Sequence, residues 1–270
     1  MSLKIVTWNV NSIKMRLQHL IEFIQAHDPD IVCLQELKCE TDKFPIDELS
    51  HLPYNFYING QKTYNGVAIL SKIPADEVKN NFDTNPIPEQ ARFIECSFSA
   101  SIGYIKVISL YAPNGGEVGS DKFINKLKFY DAFTDYIQSI KSFEEQLFIA
   151  SDLNIAPHDI DVYDPAKLQD STCFTYEEKE KLRTILNSGF VDNFRILHPT
   201  KNEFSWWDYR AGAFEQNMGM RIDSIISTSN AVAHLVDCKI DYHSRTKDKP
   251  SDHAPVMAEY RSLYHNYSEK

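Results

Sequence analysis

The sequence predicts an α/β fold in which stacked β-sheets are flanked by helices. Several apolar, strand-like runs follow one another with no helix between them, whereas two long segments have apolar residues at helical spacing. No linker, charge block or internal repeat divides the 270 residues. Since a chain of this length can bury one large core, we expect a single domain over 1–270, built as a sandwich of sheets with helices outside.

The predicted elements follow from the spacing of apolar residues. The pattern that starts at Ile13 predicts a helix that ends before Pro29, and the Asp-rich stretch 157–173 predicts a loop. The tail, 265–270, is expected to fray. Helices are predicted at 13–27, 123–143 and 177–186, and strands at 4–11, 31–35, 66–71, 92–98, 104–111, 147–150, 222–227, 235–242 and 254–260.

Polar residues lie at the ends of six of the apolar runs. An unpaired charge inside a buried strand is costly, whereas a polar residue at a strand end that opens into a cleft is not. These residues are Asn9, Glu36, Tyr111, Asp152 with Asn154, Asp223, and Asp252 with His253. Six such placements predict that one end of the sandwich forms a catalytic floor.

The overall charge limits the kinds of partner. With 43% hydrophobic residues and a net charge of −10, the chain should be a packed globular protein without a uniformly basic, nucleic-acid-coating surface. A local basic rim is compatible with this charge. The surplus of carboxylates also suits a site that holds a divalent cation.

Cysteine spacing and hydropathy predict the compartment. The five cysteines form no CxxC pair and no zinc pattern, so we expect free thiols in a reducing environment. The first predicted strand begins near Met1, so we expect no signal peptide. No apolar stretch approaches the roughly 20 residues that span a bilayer. We therefore expect a cytoplasmic protein that acts away from membranes, as a monomer.

Two carboxylates follow apolar strands in a way that suits chemistry. Glu36 comes directly after IVCLQ, where its oxygens can bind a hard divalent cation; the alternative is an ion pair with Lys38 or a helix cap. In IASDLN, Asp152 and Asn154 alternate, so both would project from one face of an extended strand. There the carboxylate can accept a proton from water. The alternative for this motif is an Asx turn.

The segment PSDHAPV places Asp252 directly before His253. In a turn, the aspartate can hydrogen-bond one ring nitrogen, which fixes the tautomer and favours the imidazolium form. The alternative is a capping aspartate before a buried histidine. No nucleophilic serine motif accompanies the pair.

The three remaining candidates have structural alternatives of their own. Asn9 can form a turn, and Tyr111 can simply pack at a strand end. Asp223 can pair with Arg221. Together, however, the whole set supplies a metal-binding carboxylate, a base, an Asp–His pair, amide donors and a phenol. Metal-assisted phosphodiester hydrolysis needs these groups, because a cation neutralises phosphate charge and a base activates water.

Motifs along nearly the whole chain occur in the order of a known family. They are KIVTWNVNSIK, DIVCLQELK, GVAILSK, LYAPNG, ASDLNIAPHDIDVYDP, FSWWDYR, RIDSIIS and KPSDHAPV. With them the chain resembles the exonuclease III family of abasic-site endonucleases, within the exonuclease–endonuclease–phosphatase superfamily. The resemblance implies a four-layered α/β sandwich of two packed, mostly antiparallel sheets flanked by helices, with the site at one end of the sheets.

The implied activity is that of a DNA-repair phosphodiesterase. It comprises incision on the 5′ side of abasic sites in double-stranded DNA, and 3′-to-5′ exonuclease activity that cleans blocked 3′ ends. The implied cofactor is Mg²⁺, with Mn²⁺ as a substitute.

The resemblance also implies roles for individual residues. The implied metal site consists of Glu36, Asn9 and Asp252, and the implied catalytic residues are Asp152, His253, Tyr111, Asn154 and Asp223. In these roles Asp152 activates the attacking water and Asn154 supports it. His253, oriented by Asp252 or Asp223, binds the phosphate. Which of Asp152, Tyr111 and His253 handles each proton stays open.

The aromatic segment FSWWDYR is the implied pocket for an abasic sugar flipped out of the duplex, although alternating aromatics can also fill a strand core. Trp206 is the candidate wall, with Ile222 opposite. Met220 stands where some relatives carry Trp, which leaves the balance between endonuclease and exonuclease activity open. The candidate substrate-binding residues are Trp206, Ile222, Met220, Asn114, Arg92 and Lys38, and the candidate basic rim is Lys38, Lys62, Arg92, Arg210 and Arg245.

Three other functions are compatible with parts of this pattern. A relative that hydrolyses small phosphoesters would share the acids but lack the FSWWDYR and KPSDHAP segments. A non-specific secreted DNase would carry His in place of Tyr111 and would have disulfides. A catalytically inactive binding module would have lost some of the acids, all of which are present.

Overall fold

The computed structural model describes residues 2–141 and 146–261. The strands are β1 (Ser2–Asn9), β2 (Ile31–Gln35), β3 (Asn55–Asn59), β4 (Val67–Ser71), β5 (Glu77–Lys79), β6 (Phe93–Ala100), β7 (Gly103–Tyr111), β8 (Gln146–Asp152), β9 (Phe190–Asp192), β10 (Trp206–Trp207), β11 (Gly219–Met220), β12 (Asp223–Thr228), β13 (Leu235–Ile240) and β14 (Val256–Arg261). The α-helices are α1 (Ile13–His27), α2 (Ile46–Leu49), α3 (Asp121–Ile140), α4 (Pro165–Leu168), α5 (Tyr176–Asn187), α6 (Asn193–Leu197) and α7 (Ser229–Val232).

Most of the strands form two six-stranded sheets. The strand order is β13-β14-β1-β2-β4-β3 in the first sheet and β5-β6-β7-β8-β12-β9 in the second, while β10 and β11 form a separate ribbon. Neighbouring strands of the sheets are antiparallel except for one parallel pair in each, β1 with β2 and β7 with β8. Parallel neighbours need a crossover connection, and α1 and α3 supply it. The prediction of mostly antiparallel sheets is confirmed.

Three apolar clusters hold four layers together. Cys33 of the first sheet and Val107 of the second belong to the cluster between the two sheets. Phe23 of α1 packs on the outer face of the first sheet. Phe133 of α3 and Leu182 of α5 pack on the outer face of the second. The predicted four-layered sandwich is therefore confirmed, and all five cysteines are buried free thiols.

The structure differs from the predicted elements in short or edge segments. The half-exposed strand β3 and the three-residue strands β5 and β9 were not predicted, because they lack a long apolar pattern. The predicted loop at 157–173 contains α4. The predicted long helix corresponds to α3, and residue 143 and the tail 265–270 lie outside the described residues. Within the described chain, no helix is long and apolar enough to cross a membrane.

Candidate active site

The polar residues predicted at strand ends meet at one edge of the sandwich. In the first sheet the parallel pair ends at Asn9, which lies opposite Gln35, directly before Glu36. In the second sheet the parallel pair ends with Tyr111 opposite Asp152. Parallel strands end at the same edge of a sheet, so each pair delivers two neighbouring polar positions. The antiparallel strand β12 adds Asp223, whose register partner is Asp152.

Asn9 joins the polar ends of the two sheets. Its side-chain nitrogen donates to Glu36 Oε1 at 2.9 Å and to Asp152 Oδ2 at 2.9 Å. Its side-chain oxygen accepts a hydrogen bond from the Asn11 backbone N–H at 2.9 Å. Because the amide oxygen is occupied and the nitrogen faces the acids, Asn9 orients the two carboxylates. This differs from its predicted role as a metal ligand.

Glu36 is held in an unusual backbone conformation. Its φ of 52° lies in the left-handed region, which is strained for a residue with a long side chain. The backbone is fixed there by hydrogen bonds on both sides, including Ser12 N–H to Glu36 O at 2.8 Å and Leu37 N–H to Gly66 O at 3.1 Å. The surrounding structure thus determines where this carboxylate points.

The charge of Glu36 is favoured by its partners. Lys38 Nζ lies 3.0 Å from Glu36 Oε2, so the ion pair considered as an alternative is present beside the cluster. Burial works to raise the pKa of Glu36, but the hydrogen bond from Asn9 and the charge of Lys38 outweigh it and lower the pKa. Glu36 is therefore an anion at neutral pH.

Asp152 and Asn154 form a turn at the end of β8. Asp152 Oδ1 accepts a hydrogen bond from the Asn154 backbone N–H at 3.0 Å, and Asn154 has a φ of 50°. The Asx turn is therefore present, and the expectation that both side chains extend from one strand face was wrong, because β8 ends at Asp152. Burial raises the pKa of Asp152; Asp223 and Glu36 act in the same direction, while His253 opposes them. A carboxylate with a raised pKa is a stronger base than an ordinary one.

Asp223 is the hydrogen-bond partner of His253. Its two oxygens lie 2.9 Å and 3.1 Å from His253 Nδ1, and Ser205 Oγ donates to Asp223 Oδ2 at 2.6 Å. Burial works to lower the pKa of His253, but the charges of Asp223 and Asp152 outweigh it and raise the pKa well above the ordinary range. His253 is thus an imidazolium at neutral pH, with Nε2 3.8 Å from Asp152 Oδ2.

Two alternatives from the sequence are settled by this arrangement. Asp252 does not hydrogen-bond His253; its oxygens accept from Asn11 Nδ2 at 2.9 Å and from Trp206 Nε1 at 3.1 Å. Asp223 does not pair with Arg221, which instead lies 2.8 Å from Asp192 and 2.6 Å from Asp161. Of the two partners expected for His253, Asp223 is therefore the one that contacts it, and the alternative of an Asp223–Arg221 pair is wrong.

A set of three side chains could hold a cation. Ligand atoms of Glu36, Asp152 and His253 lie within 4.8 Å of one another. Carboxylate oxygens are the ligands that Mg²⁺ prefers, whereas an imidazolium has no free lone pair to offer. The two carboxylates thus fit a hard divalent cation. Asp252 lies outside this set, so its predicted place among the metal ligands has no support from the geometry.

A cavity of about 440 Å³ opens beside these charged groups. Trp206, Met220 and Ile222 line it and belong to one apolar cluster, so Ile222 lies on the same side as Trp206 and not on the opposite side, where it was expected. Trp206 pairs with Met220 in the β10–β11 ribbon and also bridges to His253. The neighbouring Trp207 is completely buried in the core. Within the aromatic segment, Trp207 thus packs in the core and Trp206 lines the cavity.

Of the other predicted substrate-binding residues, Asn114 lines this cavity and donates to Asn154 Oδ1 at 3.0 Å. Arg92 lines a neighbouring cavity, and Lys38 pairs with Glu36 at 3.0 Å. The Arg92 guanidinium stacks 4.6 Å from the centre of the Tyr111 ring. Burial raises the pKa of Tyr111 well above its ordinary value, and Glu36 and Asp152 add to the shift, so the phenol keeps its proton.

The predicted basic rim is only partly present. The Arg210 side chain lines the cavity and is 87% exposed, and its guanidinium pairs with the neighbouring Asp208 at 2.5 Å. Lys62 is also exposed. Arg245 is buried instead, stacked 4.8 Å from the centre of the Phe214 ring and donating to the Ser251 carbonyl, so its assignment to the rim was wrong.

Sequence reasoning missed several residues of the site. Ser205 contacts the Asp223 side chain. Its Oγ also accepts hydrogen bonds from the backbone N–H groups of Ile222 at 3.1 Å and of Asp223 at 3.0 Å. Thr172 and Cys173 line the cavity from the loop before α5. No local pattern marks these residues, because their contacts join segments distant in the chain.

The chain belongs to a known enzyme family. The family described as endonuclease/exonuclease/phosphatase matches residues 6–253. The chain is 33% identical to exodeoxyribonuclease III of Haemophilus influenzae over 267 residues, which cover 96% of this chain and 100% of that protein. It is 29% identical to an exodeoxyribonuclease of Bacillus subtilis, over 94% of this chain and 98% of that protein.

Solved structures are similar over nearly the same length. A 3′ phosphatase from Neisseria bound to a product DNA hairpin superposes with a TM-score of 0.92 and 36% identity, over 96% of this chain and 99% of that one. An AP endonuclease from Archaeoglobus fulgidus gives a TM-score of 0.91 at 36% identity, with the same coverage of 96% and 99%.

The Asp223–His253 contact generates a prediction about protonation. Among the carboxylates that raise the pKa of His253, Asp223 has the largest effect. Asp223→Asn removes this charge, so the pKa of His253 should fall by more than one unit. Asp252→Asn is the matched control, since its carboxylate contacts Asn11 and Trp206, and it should shift the pKa less. NMR titration of the His253 ring protons measures both. A larger fall for Asp252→Asn would contradict the assignment.

Proposed function

We propose that this protein is a DNA-repair phosphodiesterase that cuts double-stranded DNA on the 5′ side of abasic sites and removes blocking groups from 3′ ends. The observation that carries the proposal is that one cavity is lined both by a charged cluster and by apolar side chains. A phosphodiester and an abasic sugar are adjacent in the substrate and need these two environments. Relatives named as exodeoxyribonuclease III, AP endonuclease and 3′ phosphatase support the same substrate class.

The proposed cofactor is Mg²⁺, for which Mn²⁺ can substitute. Glu36 would hold it, with Asp152 as the neighbouring carboxylate, because both present oxygens at the base of the cavity. When bound, a divalent cation neutralises charge on the phosphate. Lys38, which pairs with Glu36 at 3.0 Å, keeps that carboxylate ionised and oriented.

Asp152 is the proposed base. It accepts a proton from water as the water oxygen forms a bond to phosphorus, and the bond from phosphorus to the 3′ oxygen breaks. The hydrogen bonds from Asn9 at 2.9 Å and from the Asn154 backbone at 3.0 Å fix the carboxylate for this transfer. Its raised pKa favours acceptance of the proton.

Two protonated groups flank the reacting phosphate. His253 is an imidazolium whose Nε2 faces Asp152, so it can stabilise negative charge on the phosphate oxygens. Tyr111 keeps its phenol proton at neutral pH and can supply it to the departing oxygen. Each group is thus in the protonation state that its proposed role requires.

The apolar wall provides selectivity for an abasic nucleotide over one that still carries its base. An abasic nucleotide leaves a gap in the base stack, so rotating it out of the helix costs less than extruding a paired base. Trp206, Met220 and Ile222 offer an apolar surface to the bare sugar. The net charge of −10 restricts phosphate contacts to local groups such as Arg210 and Arg92.

The direct test of the function uses a duplex with one abasic analogue and a label at the 3′ end. Incubation with Mg²⁺ should give a single cut on the 5′ side of the lesion, and EDTA should abolish it. An intact duplex without the lesion serves as the control for incision. Unchanged abasic duplex, with cleavage of a small phosphoester instead, would favour the alternative of a small-molecule phosphatase.

The metal assignment predicts different effects for two carboxylates that line the same cavity. Glu36→Gln keeps the side-chain shape but removes the charge, so Mg²⁺ affinity should fall by about tenfold or more. Asp252→Asn should leave the affinity nearly unchanged, because Asp252 lies outside the group of ligand atoms that Glu36, Asp152 and His253 form. Calorimetric titration with Mg²⁺ measures both variants. Wild-type affinity in Glu36→Gln would remove Glu36 from the metal site.

The pocket assignment predicts a substrate-dependent effect of Trp206→Ala. Cleavage at abasic sites should fall by about tenfold or more, because the sugar loses its apolar wall, while hydrolysis of bis(4-nitrophenyl) phosphate should change little. Tyr209→Ala is the control, an exposed aromatic of the same segment that does not line the cavity. Equal losses on both substrates for Trp206→Ala would mean that this residue supports only the fold.

A further inference from the structure

A completely buried ion pair lies behind one wall of the cavity. Lys126 of α3 and Glu178 of α5 contact each other, and both side chains are 0% exposed. Removing two charges from water is costly, and such a pair is often no more stabilising than apolar side chains of the same size. Stability alone therefore does not account for charges at this position.

All three protons of the Lys126 ammonium have acceptors. Besides Glu178, Lys126 Nζ donates to the backbone carbonyl of Asn114 at 3.1 Å and to that of Asn154 at 2.7 Å. Asn114 and Asn154 both line the cavity. One buried ammonium thus fixes the backbone of two residues that face the substrate.

Glu178 fixes the backbone of a third segment beside the cavity, at Cys173 and Thr175. It accepts the backbone N–H of Cys173 at 3.0 Å, and the backbone N–H and hydroxyl of Thr175 at 3.0 Å and 2.8 Å. These bonds include the capping box that begins α5. They also hold the segment in which Thr172 and Cys173 line the cavity.

The two amide side chains depend on this backbone support. Asn114 Nδ2 donates to Asn154 Oδ1 at 3.0 Å, and Asn154 Nδ2 donates to the Ala112 carbonyl at 3.0 Å. Asn154 also holds the left-handed φ of 50° that lets its N–H reach Asp152. A shift of its backbone would therefore move an amide and the base together.

We propose that Lys126 and Glu178 are positioning residues of the active site, which set the Asn114–Asn154 amide pair and, through Asn154, the Asp152 carboxylate. This inference rests on the proposed function, because it assigns the amides to the reacting phosphate. A displacement of about 1 Å at such groups is enough to slow a reaction about 100-fold. The pair therefore acts on turnover, without touching the substrate.

The test replaces both charges, because a single replacement would leave the other charge buried and unpaired. In Lys126→Met with Glu178→Gln, kcat should fall at least tenfold, while the Kd for uncleaved duplex stays within about threefold. The shape of the pH–rate profile should persist, since Asp223 and His253 are unchanged. Activity is compared on the duplex that the wild type cleaves, whether abasic or 3′-blocked. If the wild type cleaves neither duplex, the proposed function is refuted, independently of the role of Lys126 and Glu178.

The control is Tyr136→Phe. Tyr136 lies on α3, as Lys126 does, and its hydroxyl donates a 2.8 Å hydrogen bond to buried Glu95, but neither Tyr136 nor Glu95 lines the cavity. This replacement should lower the melting temperature without changing kcat. Thr175→Val is a milder probe that leaves the charges paired. It removes the two hydrogen bonds of the Thr175 hydroxyl with Glu178, one donated to the carboxylate and one accepted from the backbone N–H. It should lower kcat about threefold, even if the double variant does not fold. The proposal would be overturned by any of three results. These are a folded double variant with wild-type kcat, a wild-type kcat in Thr175→Val, and a loss of kcat in Tyr136→Phe equal to that of the double variant.

Discussion

The active-site end depends on how its buried charges compensate one another. Asp152, Asp223 and His253 are each less than 5% exposed, where an isolated charge would be strongly unfavourable. They are stable together because the imidazolium lies between two carboxylates, one at 2.9 Å and one at 3.8 Å. The same compensation raises the pKa of His253 and so keeps its ring protonated, which connects the electrostatics of the fold directly to the chemistry.

The topology explains why these charges can meet. Each sheet contains one parallel pair with a helical crossover, and the carboxyl ends of both pairs reach the same edge. The hydrogen bond from Asn9 to Asp152 at 2.9 Å then connects one sheet to the other, while its bond to Glu36 at 2.9 Å joins two strand ends of the first sheet. Sliding of one sheet relative to the other would break this connection, so the interface between the sheets and the site geometry constrain each other.

The sequence predicted the site where polarity interrupts an apolar strand, because a buried strand rarely tolerates a charge without a reason. Glu36 and Asp152 were identified in this way, whereas the wall around Trp206 was implied by the family resemblance. Contacts between distant segments left no such trace. Asp223, 30 residues from His253, was named as one of its two possible partners only through the family resemblance, and the contact of Ser205 with Asp223 across 18 residues was not predicted. Arg245 was predicted to be a surface cation because the local sequence does not indicate the aromatic stacking that buries it in the fold.

The central claim is that Asp152 is the base of a phosphodiesterase whose other groups bind and orient the substrate. The most direct measurement compares single-turnover cleavage and binding of an abasic duplex by the wild type and by Asp152→Asn. Because general-base and positioning effects together exceed about 100-fold, cleavage should fall by at least that factor, while the Kd for the duplex should change by less than about threefold. Cleavage by Asp152→Asn at a rate near that of the wild type would show that another residue activates the water.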